Sequence, residues 1–167
     1  MTVIAVRKDP RSRTMAIEAE FDASPERVWQ LWADPRQLER WWGPPAYPAT
    51  VDSHDLRPGG RVEYRMTGPE GEEHRGFWEV DEVRPPRRLV FRDGFVNEDG
   101  TPNSDAPTAR VTIEEIGSGK TRMSIASEFP TVEAMERLAA RWGLKQTVGQ
   151  IDAILAEDPA DPGRGRR

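Results

Sequence analysis

Cysteine is absent from this 167-residue chain, and its absence removes several classes of site at once. Without thiols the protein has no disulfide, no thiolate metal site and no cysteine nucleophile, which is compatible with a reducing cytoplasm. Histidine is scarce: His54 and His74 are the only two, and neither has the His-x-x-x-His or His-x-Glu spacing of convergent metal ligands. We therefore expect both histidines at the surface, and we predict no metal and no cofactor.

Long apolar runs and basic clusters are also missing. No stretch approaches the ~20 apolar residues of a bilayer span, and the N-terminus lacks the basic start and apolar block of a signal peptide. The 24 basic residues are scattered among 29 acidic ones, for a net charge of −5. No continuous basic stripe is therefore available to neutralise phosphates. We expect neither nucleic-acid binding nor membrane insertion.

Common catalytic motifs are absent as well. The sequence contains no Gly-x-Ser-x-Gly, and the glycine-rich residues 117–121 lack the leading glycine spacing of a phosphate-binding loop. These residues are interpreted as a hairpin turn. Residues 55–60 are interpreted as a second turn, in which Asp55 pairs with Arg57 and the glycines supply positive φ angles.

The N-terminal part predicts one strand followed by two short helices. Apolar residues alternate from position 14 to position 21, as in a half-buried strand, and residues 3–6 either extend it or form an N-terminal arm. Ser24 before a proline predicts the start of the first helix. Asp34 before a proline predicts the start of the second helix, with Gln37 reaching back to the cap.

The rest of the chain predicts a meander of strands and one long helix. Between residues 48 and 129, alternating apolar positions separated by Gly and Pro turns indicate about six antiparallel strands. Thr131 is predicted to cap a helix that runs to about Glu157, with a bend at Gly143 left open. The loop of residues 93–107, rich in Asp, Asn, Gly and Pro, is predicted to form a mobile rim.

This order predicts an α+β helix-grip fold. A sheet with one buried face needs a cover, and only the final helix is long enough to provide it. We expect a curved antiparallel β-sheet wrapped around a long C-terminal α-helix, with two short helices after the first strand closing one end. The domain is predicted to span residues 13–157, between an N-terminal arm at 1–12 and a disordered tail at 158–167.

Four sequence motifs occur in the order typical of one superfamily. They are Phe-Asp-Ala-Ser-Pro-Glu-Arg-Val-Trp at 21–29 with Asp-Pro at 34–35 and Trp-Trp-Gly-Pro at 41–44, Asp-Leu-Arg-Pro-Gly-Gly at 55–60, Pro-Pro-Arg-Arg-Leu-Val-Phe at 85–91, and Gly-Gln-Ile-Asp at 149–152 with Leu155. Over about residues 21–155 the chain thus resembles the START-like SRPBCC superfamily. The branch is that of the activator of heat-shock-protein-90 ATPase homologues, often labelled polyketide-cyclase-like in bacteria. The resemblance implies the helix-grip fold, but members of this superfamily include lipid carriers, hormone receptors, cyclases and co-chaperone domains, so the fold does not determine the function.

Large apolar side chains are the candidates for lining a cavity between sheet and helix. Pockets for apolar ligands are lined by such side chains, with a few polar groups that fix orientation. Strand parity and helix spacing predict a ligand-binding lining of Trp41, Trp42, Tyr64, Met66, Trp78, Phe91, Met123, Trp142 and Val148. In the alternative interpretation these side chains only fill the core. We expect the Trp41–Trp42 pair at the cavity mouth, where exposed indoles would favour a homodimer.

Three functions stay open at this level. The first, favoured because no catalytic cluster is found, is a cytoplasmic module that binds a small apolar or aromatic ligand. The second is an enzyme of cyclase or hydrolase type, which needs a buried acid or base. Its candidates are Tyr64, Ser127 and Gln146, with Arg110 or Arg122 if the face assignment is wrong. The third is contact with a chaperone, which needs an exposed apolar patch or a charged docking face.

Overall fold

A single antiparallel sheet of eight strands is the largest element of the computed structural model, which describes residues 2–103, 105–141 and 144–157. The strands are β1 (Thr2–Asp9), β2 (Thr14–Phe21), β3 (Ala49–His54), β4 (Arg61–Thr67), β5 (Glu73–Arg84), β6 (Arg88–Phe95), β7 (Thr108–Gly117) and β8 (Lys120–Glu128). Their order in the sheet is β1-β2-β8-β7-β6-β5-β4-β3. The predicted α+β class and the meander of six strands from β3 to β8 are therefore confirmed.

Five helical segments are described. They are α1 (Pro25–Ala33), α2 (Pro35–Leu38), α3 (Val132–Arg141), α4 (Leu144–Gly149) and α5 (Ile151–Ala156). Helix α1 packs against β7 and β8, and α2 packs against β3. Helix α4 contacts β1 and β2. No helix within the described ranges is long and apolar enough to cross a membrane.

The helix starts follow the local sequence as predicted. Ser24 Oγ accepts the backbone N–H of Arg27 at 3.1 Å, which satisfies one of the orphan donors of α1. Asp34 caps α2 through Oδ1, and Gln37 Nε2 donates to Asp34 Oδ2 at 3.1 Å. Thr131 Oγ1 accepts the N–H of Ala134 at 2.9 Å, so it caps α3.

The sheet is curved, and irregular pairing accompanies the curvature. The register shifts in the β1–β2, β3–β4, β5–β6 and β7–β8 pairs, which marks a bulge or irregularity in each. A bulge bends its strand and increases the local twist. The concave inner face carries the alternating buried residues of each strand, such as Val62, Tyr64 and Met66 on β4.

The C-terminal region differs from the single long helix that the sequence predicts. The described residues form three short segments, and α4 ends at Gly149 before a turn at Gln150. Glycine weakens a helix interior, and the Gln150 side chain is held outside the helix: its Nε2 donates to the carbonyl of Gly43 at 2.6 Å and to that of Trp41 at 3.2 Å. The bend considered at Gly143 lies outside the described residues.

The N-terminal segment forms an additional strand, so the order of the elements differs from the predicted one. Residues Thr2–Asp9 pair with β2 as a separate edge strand. The two short helices therefore follow the second strand of the sheet rather than the first. Because β1 is hydrogen-bonded along β2, it covers an edge that would otherwise be free.

Candidate functional site

A cavity of about 330 Å³ opens between the inner face of the sheet, the α2–β3 connection and the loop after β6. Strands β2, β4, β6, β7 and β8 supply its floor, and the described side chains of α3 and α4 contribute Arg137 and Thr147. The wall is mostly apolar and includes Met15, Trp42, Met66, Phe95, Ile125 and Phe129. A few polar side chains interrupt it: Tyr64, Asp93, Asn103, Asp105, Ser127, Arg137 and Thr147.

Tyr64 and Asp93 form a hydrogen-bonded pair in this wall. The Tyr64 hydroxyl donates to Asp93 Oδ1 at 2.7 Å, although their strands β4 and β6 are separated by β5. Gly76 on β5 makes this reach possible. It pairs with Tyr64 in the β4–β5 ladder, and a Cβ built on it would lie 2.3 Å from Tyr64 Cζ. The Tyr64 phenol therefore crosses β5 at Gly76, which has no side chain to block it.

The environment of the pair changes both acidities. Burial raises the pKa of Asp93 from 3.8 to about 7, and the hydrogen bond from Tyr64 lowers it only in part. Burial also raises the pKa of Tyr64 well above its ordinary value of 10, and the nearby Asp93 charge adds to this. Near neutral pH, Tyr64 is thus a neutral donor and Asp93 is present in both protonation states.

The rest of the inner face is closed by a dense aromatic cluster. Trp32 from α1 lies 4.8 Å from Trp41 and 5.8 Å from Trp78, measured between ring centroids. Trp78 stacks on Phe91 at 4.0 Å with an interplanar angle of 19°. Trp42 contacts Trp78 at 5.0 Å and so borders this cluster on the cavity side. The inner face therefore has a closed end, filled by α1, and an open end that forms the cavity.

The predicted lining residues divide between these two ends. Trp42, Tyr64 and Met66 line the cavity. Five others are described but are buried in the core instead of lining it: Trp41, Trp78, Phe91, Met123 and Val148. The reason is that strand parity identifies the face of a sheet but not the position along it. Trp142 lies outside the described residues.

The closed end also explains the placement of Trp41, which was expected at the cavity mouth. Trp41 is fully buried, and its Nε1–H donates to the carbonyl of Leu31 at 2.9 Å. Trp42 is 7% exposed. The exposed indoles that favoured a homodimer are therefore not found, and dimerisation stays a prediction without this support.

Asp93 is one of several lining residues that sequence reasoning missed. The sequence predicts a loop from residue 93, whereas β6 continues to Phe95. Leu89, Phe91, Asp93 and Phe95 share one parity, so Asp93 continues the inward-facing series. An acidic residue two positions after a buried aromatic, on the same face, was the available signal.

The other polar candidates are distributed over different surfaces. Ser127 lines the cavity, as its parity on β8 suggests. Gln146 is exposed and lines a separate shallow depression beside residues 44–47. Arg110 pairs with Glu128, and Arg122 pairs with Glu20, so neither reaches the cavity.

The loop predicted over residues 93–107 begins only after Phe95, where β6 ends, and its residues 103 and 105–107 line the cavity rim beside α3. Arg137 donates from Nε and Nη2 to the two carboxylate oxygens of Asp105, each at 2.8 Å. The hydrogen bond from Arg137 holds the pKa of Asp105 below its ordinary value. The predicted rim position is thus observed for this loop, whereas its mobility stays a prediction.

The two histidines are half-buried rather than at the surface as expected. His54 Nε2 lies 3.0 Å from the carbonyl oxygen of Trp32, and the ring of His74 lies 5.7 Å from that of Tyr47. Packing beside the α1 and α2–β3 segments accounts for their burial. Within the described residues, no group of three or more His, Asp or Glu side chains is arranged to hold a metal ion.

Comparison with known proteins gives the family. The family model described as activator of Hsp90 ATPase homolog 1-like protein matches residues 22–156. This match confirms the resemblance identified from the sequence motifs. No curated protein matches the chain.

Several solved structures share the fold. Protein Ms6760 from Mycobacterium smegmatis is 43% identical, with a TM-score of 0.82 and coverage of 95% of this chain and 100% of that one. A protein from Arthrobacter aurescens, solved by NMR, is 41% identical, with a TM-score of 0.89 and 99% coverage of both chains. DynU16, from the dynemicin biosynthetic locus, is 20% identical, with a TM-score of 0.65 and coverage of 87% of this chain and 48% of that one. The last similarity shows the fold alone.

Proposed function

The chain belongs to the activator of Hsp90 ATPase homolog 1-like family, and we propose that it binds a small apolar or aromatic molecule in its cavity. The observation that carries this proposal is the cavity of about 330 Å³, with a mostly apolar wall and a few polar groups. Ligand pockets of roughly 300–1,000 Å³ have this composition, in which hydrocarbon provides affinity and polar groups fix orientation. The volume is near the lower limit and favours a small ligand.

The position of the cavity supports the same function. An inner face that served only as a core would be filled along its whole length, as it is at the closed end around Trp32 and Trp78. At the open end, the hydroxyl of Ser127 and the Tyr64–Asp93 pair face a space that the described side chains leave unfilled. Polar groups at the surface of an unfilled apolar cavity are available to a ligand.

Dye binding to two matched variants tests this proposal. The probe is N-phenyl-1-naphthylamine, a neutral dye whose fluorescence rises in apolar surroundings. Ser127→Trp places an indole in the cavity, whereas Ser124→Trp makes the same change on the same strand at a position of opposite parity, outside the lining. We expect Ser127→Trp to weaken dye binding at least tenfold and Ser124→Trp to change it less than threefold. Equal effects of the two variants, or no dye binding to the wild type, would contradict the proposal.

Acid–base catalysis in the same cavity is the second candidate function, because the pKa of Asp93 is raised to about 7. A general acid or base works best when its pKa lies near the working pH. The candidate reaction is of the cyclase or hydrolase type. It is tested by incubating compounds that bind with the protein and following their masses. Conversion that disappears in Asp93→Asn would support catalysis, and recovery of every bound compound unchanged would count against it.

No specific observation favours a chaperone partner beyond the family description. Large hydrophobic side chains that are exposed in the described part of the chain are limited to Val6 and Ile116. They lie on different strands, β1 and β7, and do not provide an apolar patch, which is one of the two surfaces expected for such docking. For location, we propose the cytoplasm, supported by the cysteine-free composition.

A further inference from the structure

Asp93 offers the cavity one carboxylate oxygen that no described protein group binds. Its Oδ1 accepts the Tyr64 hydroxyl at 2.7 Å. Among the described residues, no donor reaches Oδ2, and no Lys, Arg or His nitrogen lies within 4.0 Å of either oxygen. A carboxylate in apolar surroundings is normally paired or fully hydrogen-bonded, because isolated burial is costly. Oδ2 therefore lacks a partner among the described residues and is available in the wall of the cavity.

The charges around the cavity do not balance within the described lining. Its titratable side chains are Tyr64, Asp93, Asp105 and Arg137. Arg137 uses two donors on the two oxygens of Asp105, so these opposite charges compensate each other. Tyr64 is neutral because its pKa is raised well above 10. Ionised Asp93 is thus the one uncompensated charge of this lining, and it is negative.

The wall next to Asp93 is also suited to a cation. The Tyr64 ring lies 6.0 Å from Trp42 and 6.4 Å from Phe95, measured between centroids, and all three side chains line the cavity. Aromatic faces attract ammonium groups, more strongly where water is excluded. An ammonium group beside Asp93 would gain from both the carboxylate and the rings.

Resting on the proposed binding function, we propose that the ligand of this cavity is a small aromatic or apolar amine whose ammonium group binds Oδ2 of Asp93. An anionic ligand would meet Asp93 with a like charge, and the guanidinium of Arg137 is already occupied by Asp105. A neutral ligand would leave the carboxylate charge uncompensated. The amine satisfies both the charge and the hydrogen-bonding capacity of Oδ2.

The test compares three compounds with one skeleton: 4-phenylbutylamine, 4-phenylbutan-1-ol and 4-phenylbutanoate. Each displaces N-phenyl-1-naphthylamine from the protein at pH 8. We expect the amine to bind at least tenfold more tightly than the alcohol, and the anion to bind most weakly. In Asp93→Asn the amine and the alcohol should bind within threefold of each other. The exposed Asp81 provides the matched control, since Asp81→Asn should preserve the preference for the amine.

The pH dependence gives a second measurement. A proton competes with the ammonium group for Asp93, so the amine affinity should fall as the pH decreases below about 7, by up to about tenfold per unit. The alcohol affinity, and the amine affinity of Asp93→Asn, should change little over the same range. Tyr64→Phe keeps the carboxylate but removes the hydrogen bond that lowers its pKa, so the pH below which the amine affinity falls should move upward. This shift tests the assignment to Asp93 if Asp93→Asn does not fold, and an unchanged pH dependence would contradict it.

The outcomes separate this inference from the proposed function. If the dye binds but the alcohol or the anion binds as tightly as the amine, the amine inference is overturned and the proposal of cavity binding stands. A preference for the amine that persists in Asp93→Asn would overturn the assignment to Asp93. If neither the dye nor any of the three compounds binds, the proposed function itself fails, and the amine inference fails with it.

Discussion

Replacing Asp93 by asparagine should stabilise the protein above neutral pH and have little effect in acid. Burial raises the pKa of Asp93 from 3.8 to about 7 in the folded state, whereas the unfolded chain restores the ordinary value. Between about pH 4 and pH 7 the unfolded state therefore loses a proton that the folded state keeps. Because the folded state then binds more protons, stability contributed by this group falls as the pH rises through the window and levels off above about pH 7.

The magnitude follows from the pKa difference. About three pKa units at 1.36 kcal/mol each correspond to roughly 4 kcal/mol, an upper bound because water in the cavity partly solvates the carboxylate. Asparagine still accepts a hydrogen bond from Tyr64 through Oδ1, but a neutral acceptor is weaker by about 1 kcal/mol. At pH 8 we expect Asp93→Asn to exceed the wild type in free energy of unfolding by about 2–3 kcal/mol. For a chain of this length the melting temperature should rise by about 4–12 °C.

Urea and thermal unfolding of both proteins between pH 5 and pH 8 measure this effect. The two proteins are compared by the difference in their free energies of unfolding at each pH. The other carboxylates titrate in both proteins, so their contributions cancel in this difference. The difference should increase with pH and approach zero or reverse slightly near pH 5. Asp81→Asn, at an exposed position, should give a nearly flat difference. Parallel profiles of wild type and Asp93→Asn would refute a raised pKa for Asp93.

Three further substitutions test the construction of the site. Gly76→Ala places a Cβ 2.3 Å from Tyr64 Cζ, so the phenol must leave Asp93. We expect the free energy of unfolding in urea to fall by about 1–3 kcal/mol and dye binding to weaken. If neither quantity changes, the Tyr64 ring does not cross β5 at Gly76. Tyr64→Phe removes the hydrogen bond that lowers the pKa of Asp93, so a carboxyl NMR titration should give a pKa higher than in the wild type, and an equal or lower pKa would argue against this contact. Arg137→Ala removes a half-exposed ion pair with Asp105, so the free energy of unfolding should change by less than about 1 kcal/mol. Dye dissociation, measured by stopped flow, should become faster. An unchanged dissociation rate would show that the rim does not limit the exit of the dye.

Local sequence signals predicted the elements of this fold well, because their causes are local. Ser24 and Asp34 cap helices through their own side chains, and these contacts need no distant partner. Alternation on β4 and β8 likewise identified the inner face, since successive side chains of a strand point to opposite faces. The break at Gln150 was not predictable in this way. It depends on hydrogen bonds to the carbonyls of Trp41 and Gly43, more than 100 residues earlier.

The candidate site was predicted only in part, for a related reason. Parity placed Tyr64 and Trp78 on one face, but the depth of each along its strand depends on where α1 packs. Trp32 of α1 fills the closed end, and its Nε1–H contacts Met123 Sδ at 3.4 Å. Met123 is therefore core, whereas Ser127, four residues along the same strand, lines the cavity.

The two ends of the inner face are coupled through Trp42, and the coupling bears on the function. Trp42 lies 5.0 Å from Trp78 in the closed end and 6.0 Å from Tyr64 in the cavity wall, measured between centroids. The aromatic cluster thus supports the wall that carries the Tyr64–Asp93 pair. Above neutral pH the Asp93 carboxylate destabilises the fold by the argument given above, so packing alone does not account for an acid at this position. Groups that cost stability in this way are concentrated at binding and catalytic sites. Asp93→Asn therefore distinguishes the two candidate functions. If the protein is a catalyst, this variant should no longer convert the substrate. If it only binds a ligand, the variant should bind the amine more weakly and the neutral dye as well as the wild type does.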